Sequence, residues 1–473
     1  MPPTLRLSAL PCLLAGLLAA LAAGPALGRD GALDPGFGNG GKVVHGFPGG
    51  LFISTAGLVR VALLADGRML VAAPVINGNG DTDFGVLRLN GNGSLDTAWA
   101  SGGARTIGFD RPDSNGEDVL IDLAVQPDGR ILLFGHAAGA AADEDDLAVV
   151  RLTAAGQADN TFGTAGKVLV PFNLGPLGRR NDQGTGIALQ PDGKILLAGV
   201  VELADGRSTF GVARLNANGQ RDTGFDGDGR AVIDFGPGFN ARPSTVLPLA
   251  DGRILVAGAS VPPGGGNGGD FALARLNANG SLDTGFGTGG VMSFDFAVGG
   301  NSADRVFDVV ELPDGAVLAC GFAEVNGPAN TDMACLRVLP DGSPDPAWPA
   351  VLVPFDRGGA FTDSAVAMAR DAQGRIVLAG LAEAAPGNND AAVARLLPDG
   401  EPDPAFGNGG TVTHNSCTPI CVGGETENLA SDIAIQPDGR LVLAGWVANN
   451  QGNYRVHVLR LRGDGVFGDG FGG

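Results

Sequence analysis

Basic residues are scarce in this sequence: 31 lysines and arginines stand against 51 acidic residues, a formal charge of −20. No basic stripe is available to release counterions from a phosphate backbone, which disfavours nucleic acid, and the same shortage disfavours docking on an anionic membrane. No stretch sustains a 3.6-residue apolar period, which nearly excludes helical domains. Beyond the N-terminus there is no apolar run long enough to span a bilayer, so the mature chain is expected to be soluble. The short catalytic signatures are missing too: there is no G-x-S-x-G elbow, Walker-type phosphate loop or H-E-x-x-H zinc site. One tyrosine, Tyr454, and four histidines, His45, His136, His414 and His457, leave little from which to build an acid–base centre.

The N-terminal 28 residues differ from the rest. Arg6 gives a positive start, Leu13 to Ala23 is an apolar run, and Ala26 and Gly28 supply small residues at a cleavable spacing. This reads as a signal peptide over 1–28, with a single domain over 29–473 placed outside the cytoplasm: secreted, at a bacterial cell surface, or periplasmic. In that redox setting the cysteines after Cys12 are expected to form two local bridges, Cys320 with Cys335 and Cys417 with Cys421.

What the sequence has in abundance is repetition. Phe37, Trp99, Phe162, Phe225, Phe286, Trp348, Phe406 and Phe471 recur at intervals of 62, 63, 63, 61, 62, 58 and 65 residues. An arginine ladder keeps step at Arg88, Arg151, Arg214, Arg275, Arg337, Arg395 and Arg460, and a turn-glycine ladder at Gly67, Gly129, Gly193, Gly252, Gly315, Gly374 and Gly439. Each unit reads as about four short strands joined by turns such as Gln190-Pro191-Asp192-Gly193. A four-stranded sheet buries too little alone, so seven equal sheets must share faces. The expectation is an all-β, seven-bladed β-propeller with about four antiparallel strands per blade. The segment Lys42 to Phe47 precedes any complete hairpin, and is expected to complete the last blade and lock the ring by a shared strand, removing two exposed edges.

The recurring polar residues suit structural work. An aspartate follows the ladder arginine by eight residues in Arg88–Asp96, Arg151–Asp159, Arg214–Asp222, Arg275–Asp283, Arg337–Asp345 and Arg395–Asp403. A repeated ion pair that fixes the turn explains them better than a basic lining for anions. Arg460 meets Gly468 at that spacing, as a frayed last turn would allow. Asn-x-Asn-Gly-x-x-Asp segments superficially resemble calcium loops but lack the later glutamate; they read as Asx turns, with Asp226 and Asp228 as weak calcium candidates and no cofactor required. His45 and His414 hold equivalent strand positions on blades that ring closure would bring together.

Function is sought in what varies. The segments 74–82, 136–146, 200–209, 259–270, 322–331, 381–389 and 446–453 all join the same two strands and should emerge on one rim. Trp446, Asn449 and Asn450, with the acidic Asp143, Asp145 and Asp146, are candidate binding residues there.

The ordered phrases Leu-Asp-x-x-Phe-Gly, Gln-Pro-Asp-Gly-Lys/Arg and Ala-Arg-Leu-Asn, covering residues 33–472, resemble the delta-60 repeat family of bacterial secreted and cell-surface proteins. The resemblance implies a β-propeller-like domain outside the cytoplasm and brings no catalytic residues. The expected function is a noncatalytic scaffold, monomeric, binding a protein or glycan through rim loops. The alternatives are an extracellular polysaccharide lyase or hydrolase, or a purely structural surface module.

Overall fold

The computed structural model describes residues 30–48, 51–54, 57–109, 111, 114, 116–139, 144–175, 181–264, 269–296, 303–325, 330–355, 362–385, 388–415, 428–448 and 453–463. Seven four-stranded antiparallel sheets account for them, arranged as a seven-bladed propeller. Blade 1 runs Arg60–Leu63, Met69–Ile76, Thr82–Leu89 and Ala104–Ile107 in spatial order, and blades 2 to 6 repeat that meander. The first strands of blades 2 to 6 are Asp118–Val125, Gln183–Leu189, Asn240–Pro248, Arg305–Glu311 and Asp363–Arg370. Blade 7 is Asn428–Ile435, Leu441–Ala448 and Tyr454–Leu461, followed by Lys42–His45 at its edge.

The turn between the first two strands of each blade follows from local chemistry. In blade 3 the Asp192 carboxylate accepts the Lys194 N–H at 3.1 Å, and Gly193 sits at φ 83°, where a side chain would be strained although nothing would obstruct it. Six of the seven first strands carry a β-bulge before that turn, for example between Val306 and Asp308 in blade 5. A glycine on the second strand makes room for it: a Cβ at Gly321 would overlap the Arg305 carbonyl, and one at Gly258 the Arg242 carbonyl.

First strands touch first strands in an unbroken cycle of blades 1 to 7, which makes them the inner wall. The core is divided among the seven gaps between blades. Between blades 4 and 5, Phe271 and Leu273 pack with Ala319 and Leu336, all buried. Each such large apolar side chain contributes roughly 1.5–3 kcal/mol.

Shared-strand closure of the ring is corrected by these sheets. None is closed or strongly curled; all seven are open. Lys42–His45 does pair antiparallel with Tyr454–Leu461, but it forms one edge of blade 7 while Asn428–Ile435 forms the other, so no edges are removed. The reason is geometric: radial blades turn faces toward each other, and face packing needs no hydrogen-bonded ladder around the ring. Among the described residues, no helix is long and apolar enough to cross a membrane.

Candidate functional site

A meander has two rims. The turns after the first and third strands share one, and the connections after the second and fourth share the other. The first rim is built from the ladder residues. Arg Nε meets the Asp carboxylate at 2.9 Å in Arg88–Asp96, 2.8 Å in Arg151–Asp159, 2.8 Å in Arg214–Asp222, 2.7 Å in Arg275–Asp283 and 2.8 Å in Arg395–Asp403. Arg337 pairs with Asp345 and with Asp314. Gly468 lies outside the described residues, and Asp34, from the first Leu-Asp-x-x-Phe phrase, takes the Arg460 Nε at 2.8 Å.

Six of the seven clamp arginines, all but Arg337, also reach the next blade among the described residues. Arg214 donates to the Ala278 carbonyl at 2.5 Å, Arg395 to Gly463 at 2.6 Å and Arg460 to Gly91 at 2.6 Å. Guanidinium groups lie over the aromatic marks, with Arg151 4.5 Å from the Phe162 ring centre and Arg460 4.7 Å from Phe37. The residue after Phe37, Phe162, Phe225, Phe286 and Phe406 donates its N–H to a carbonyl outside its own turn, as Gly163 does to Asn218 at 3.0 Å. At the two tryptophan marks the indole supplies a donor: Trp99 to the Ala154 carbonyl at 3.0 Å and Trp348 to Pro398 at 3.2 Å.

The inner wall holds a cluster that the sequence reading missed. Arg60 of blade 1 lies among Asp122, Asp308 and Asp432 of blades 2, 5 and 7. Its Nε is 3.5 Å from Asp122 and donates to the Ile121 carbonyl at 3.1 Å, while Nη1 donates to Ser431 at 3.1 Å. Each aspartate fastens its own blade to the next: Asp122 accepts Ile187 N–H at 3.0 Å, Asp308 accepts Met368 at 2.9 Å and Asp432 accepts Val61 at 2.7 Å. Burial raises the Asp122 pKa, pushes Asp308 up to about 6 and Asp432 up to about 7, against the pull of Arg60. Burial opposes the charge of Arg60, but the carboxylates of Asp122, Asp432 and Asp308 hold its pKa above the ordinary value. The signal was available: all four stand seven residues before a turn glycine, where the other blades have Gly186, Thr245 and Ala367.

A second set of carboxylates caps the inner strands near the opposite, variable rim. Asp182 accepts the Phe172 N–H at 2.7 Å, Asp304 that of Phe296 at 2.9 Å and Asp363 that of Phe355 at 2.9 Å. Burial pushes Asp182 up to about 7 and Asp304 to about 6. Between blades 4 and 5, beside Asp304, lies a cleft of about 360 Å³ whose wall includes Asn240, Arg242, Arg305 and Phe322.

The other sequence candidates are placed as follows. Trp446 meets Tyr454 edge-to-face at 4.9 Å and packs on the core between blades 7 and 1. Asp146 pairs with Arg111 at 2.7 Å, and the Asp145 carbonyl accepts the Asp182 N–H at 2.9 Å. Asp143, Asn449, Asn450, Cys417 and Cys421 lie outside the described residues, as do residues 1–28. Cys320 and Cys335, register partners on neighbouring strands, form a disulfide. Asp228 is occupied by Arg230, and Asp226 takes a turn conformation with its N–H on the Asn279 carbonyl at 2.7 Å. No group of three or more His, Cys, Asp or Glu among the described residues could hold a metal ion. His45 and His414 face different backbone carbonyls, Gly93 and Gly31, each at 2.9 Å. Burial pushes His136 down to about 4 and His457 to about 3, keeping both neutral.

Sheet topology and the cycle of inner strands define the class as a seven-bladed β-propeller. A family described as a beta-propeller domain of unknown function (DUF5122) matches residues 64–98, 126–162, 190–225, 249–286, 373–406 and 436–468. Among curated proteins none matches. Similar solved structures include a protein of unknown function from Dyadobacter fermentans, 12% identical, covering 91% of this chain and 100% of that one, TM-score 0.44. Another is the Penicillium chrysogenum alpha-L-arabinanase complexed with arabinobiose, 10% identical, covering 86% and 96%, TM-score 0.41. A third is the endo-arabinase of Bacteroides thetaiotaomicron, 13% identical, covering 64% and 96%, TM-score 0.32. The fold assignment rests on the topology and not on these likenesses, and they carry nothing about activity.

Proposed function

We propose that the protein is a secreted, noncatalytic propeller scaffold that binds a glycan or a protein through its variable rim. One contrast carries this reading. The carboxylates of the inner wall and caps accept backbone N–H groups and so hold blades together. The cleft between blades 4 and 5 instead presents two arginines that make no ion pair among the described residues. The leader-like residues 1–28 and the resemblance to delta-60 repeat proteins support a location outside the cytoplasm, and the reading needs no cofactor.

A second reading, an extracellular polysaccharide lyase or hydrolase, is favoured by Asp304. A carboxyl holding its proton to about pH 6 beside a cleft is suited to acid catalysis. Incubation of the protein with a panel of neutral and acidic oligosaccharides, read both for binding and for new reducing or unsaturated ends, separates the readings. Binding without product is expected. Product that disappears in Asp304→Asn would establish the enzyme, and neither binding nor product would leave the structural module.

A further inference from the structure

Ten residues before the turn glycines stand Gly57, Val119, Gln183, Arg242, Arg305, Ser364 and Leu429. Cations occupy this position in two adjacent blades alone. Both arginines precede a bulge in the inner strand, and both line the one cleft between blades 4 and 5. Nε of Arg305 donates to the Ser244 hydroxyl at 3.0 Å, which fixes the guanidinium but leaves its terminal nitrogens without an acceptor among the described residues. Arg242 is exposed, and its side chain makes no hydrogen bond or ion pair among those residues. In a chain with 51 acidic residues, two neighbouring arginines paired with no described carboxylate, although Asp304 lines the same cleft, are a demand for negative charge. Burial and the charge of Arg242 push Arg305 down to about 10, a cost that a bound anion would remove.

The remaining walls suit a sugar. The cleft, at about 360 Å³, falls in the range of small-ligand sites. Phe322, half-buried, offers an apolar face, and Asn240 a side-chain amide. We propose that this cleft binds a sugar bearing an oxyanion, a carboxylate or a sulfate, held between Arg242 and Arg305. The proposal rests on the glycan-binding reading and names its ligand class. Asp304 faces the same cleft, with Asp270 and Asp295 in its field; both its oxygens accept N–H groups, from Phe296 and Glu324. Its charge opposes the anion, so binding strengthens as pH falls from 7.5 to 5.5 (Asp304 titrates near 6).

Isothermal titration of the intact protein tests this with galacturonate trisaccharide, its methyl ester, a neutral galactose trisaccharide and a sulfated galactose oligosaccharide. The acid or the sulfate should bind, with the ester and neutral sugars about tenfold weaker or worse, a loss of about 1.4 kcal/mol. Arg242→Gln, at an exposed side chain, should weaken binding about tenfold with unchanged thermal unfolding, and Arg305→Lys should lose less than Arg305→Gln. Uronate binding with no sulfate binding, or the reverse, identifies which oxyanion is carried and supports the site. Equal binding of acid and ester, or indifference to both glutamine substitutions, overturns the arginine assignment while leaving rim binding intact. If no glycan of either charge binds, the glycan-binding reading itself fails.

Discussion

At the scale of single residues, six of the clamp arginines do three jobs at once: they neutralise an aspartate, cover an aromatic ring and reach a carbonyl of the next blade. Arg395 is the most enclosed, 1% exposed, with Asp403, Asp30 and the Gly463 carbonyl around it. Removing one partner of a buried, hydrogen-bonded pair strands the other charge. Arg395→Ala should therefore lower unfolding stability by about 3 kcal/mol in urea titration, whereas Arg130→Ala, 40% exposed, should cost less than about 1 kcal/mol. The eight-residue spacing made six of these pairs legible, because both partners lie across one short turn. The pair Arg460–Asp34 was not, since 426 residues separate it. Arg60 and its aspartates escaped notice because each sits singly inside an apolar strand, and only alignment on the turn glycines shows that they share one position.

At the scale of elements, the bulged inner strand decides where charge can be buried. Asp122, Asp308 and Asp432 share a position after the bulge and converge on Arg60, the one cation at that position in the seven repeats. Their raised pKa values mean that the folded state binds more protons than the unfolded chain, whose aspartates titrate near 3.9. Stability from these groups is present below that value and is lost as pH rises through about 7, the folded value of Asp432. His136 and His457, with lowered values, act oppositely: their contribution is present above about 6.5 and is lost as pH falls toward 4 and 3. Asp432→Asn should flatten the decline in unfolding midpoint between pH 5 and 8 while keeping an acceptor for the Val61 N–H. An unchanged slope would show that Asp432 does not titrate in that range. Strand number and turn placement were readable from period-two patterns and Pro-Asp-Gly phrases. The bulges were not, because an extra residue changes facing without changing composition.

At the scale of the whole molecule, the repeats place Lys42–His45 in the last blade, where it pairs with Tyr454–Leu461 as one edge of an open sheet. The chain's first described segment serves the last blade three ways: Leu33 and Lys42–His45 pair with Tyr454–Leu461, Asp34 takes Arg460, and Phe37 lies under the same guanidinium. A double-mutant cycle of Asp34→Ala and Arg460→Ala should give a coupling of about 1–3 kcal/mol, as large as that for Asp159 with Arg151. Additive effects would show that this blade is held by its strands alone.

That arrangement also sets an order of events. Blades 1 to 6 draw all four strands from contiguous sequence, so each can form soon after it is synthesised. The segment from Asp30 to His45 is made before blade 1 and can reach it, through Gly38 to the Asn92 carbonyl and His45 to Gly93, but its strand Lys42–His45 has no strand partner until Tyr454–Leu461 exists. Until then that strand lacks its ladder, and the longest loop closure among the described residues is left for the final step. The seventh blade is thus the last that can be completed, and Lys42–His45 waits longest for its partner strand.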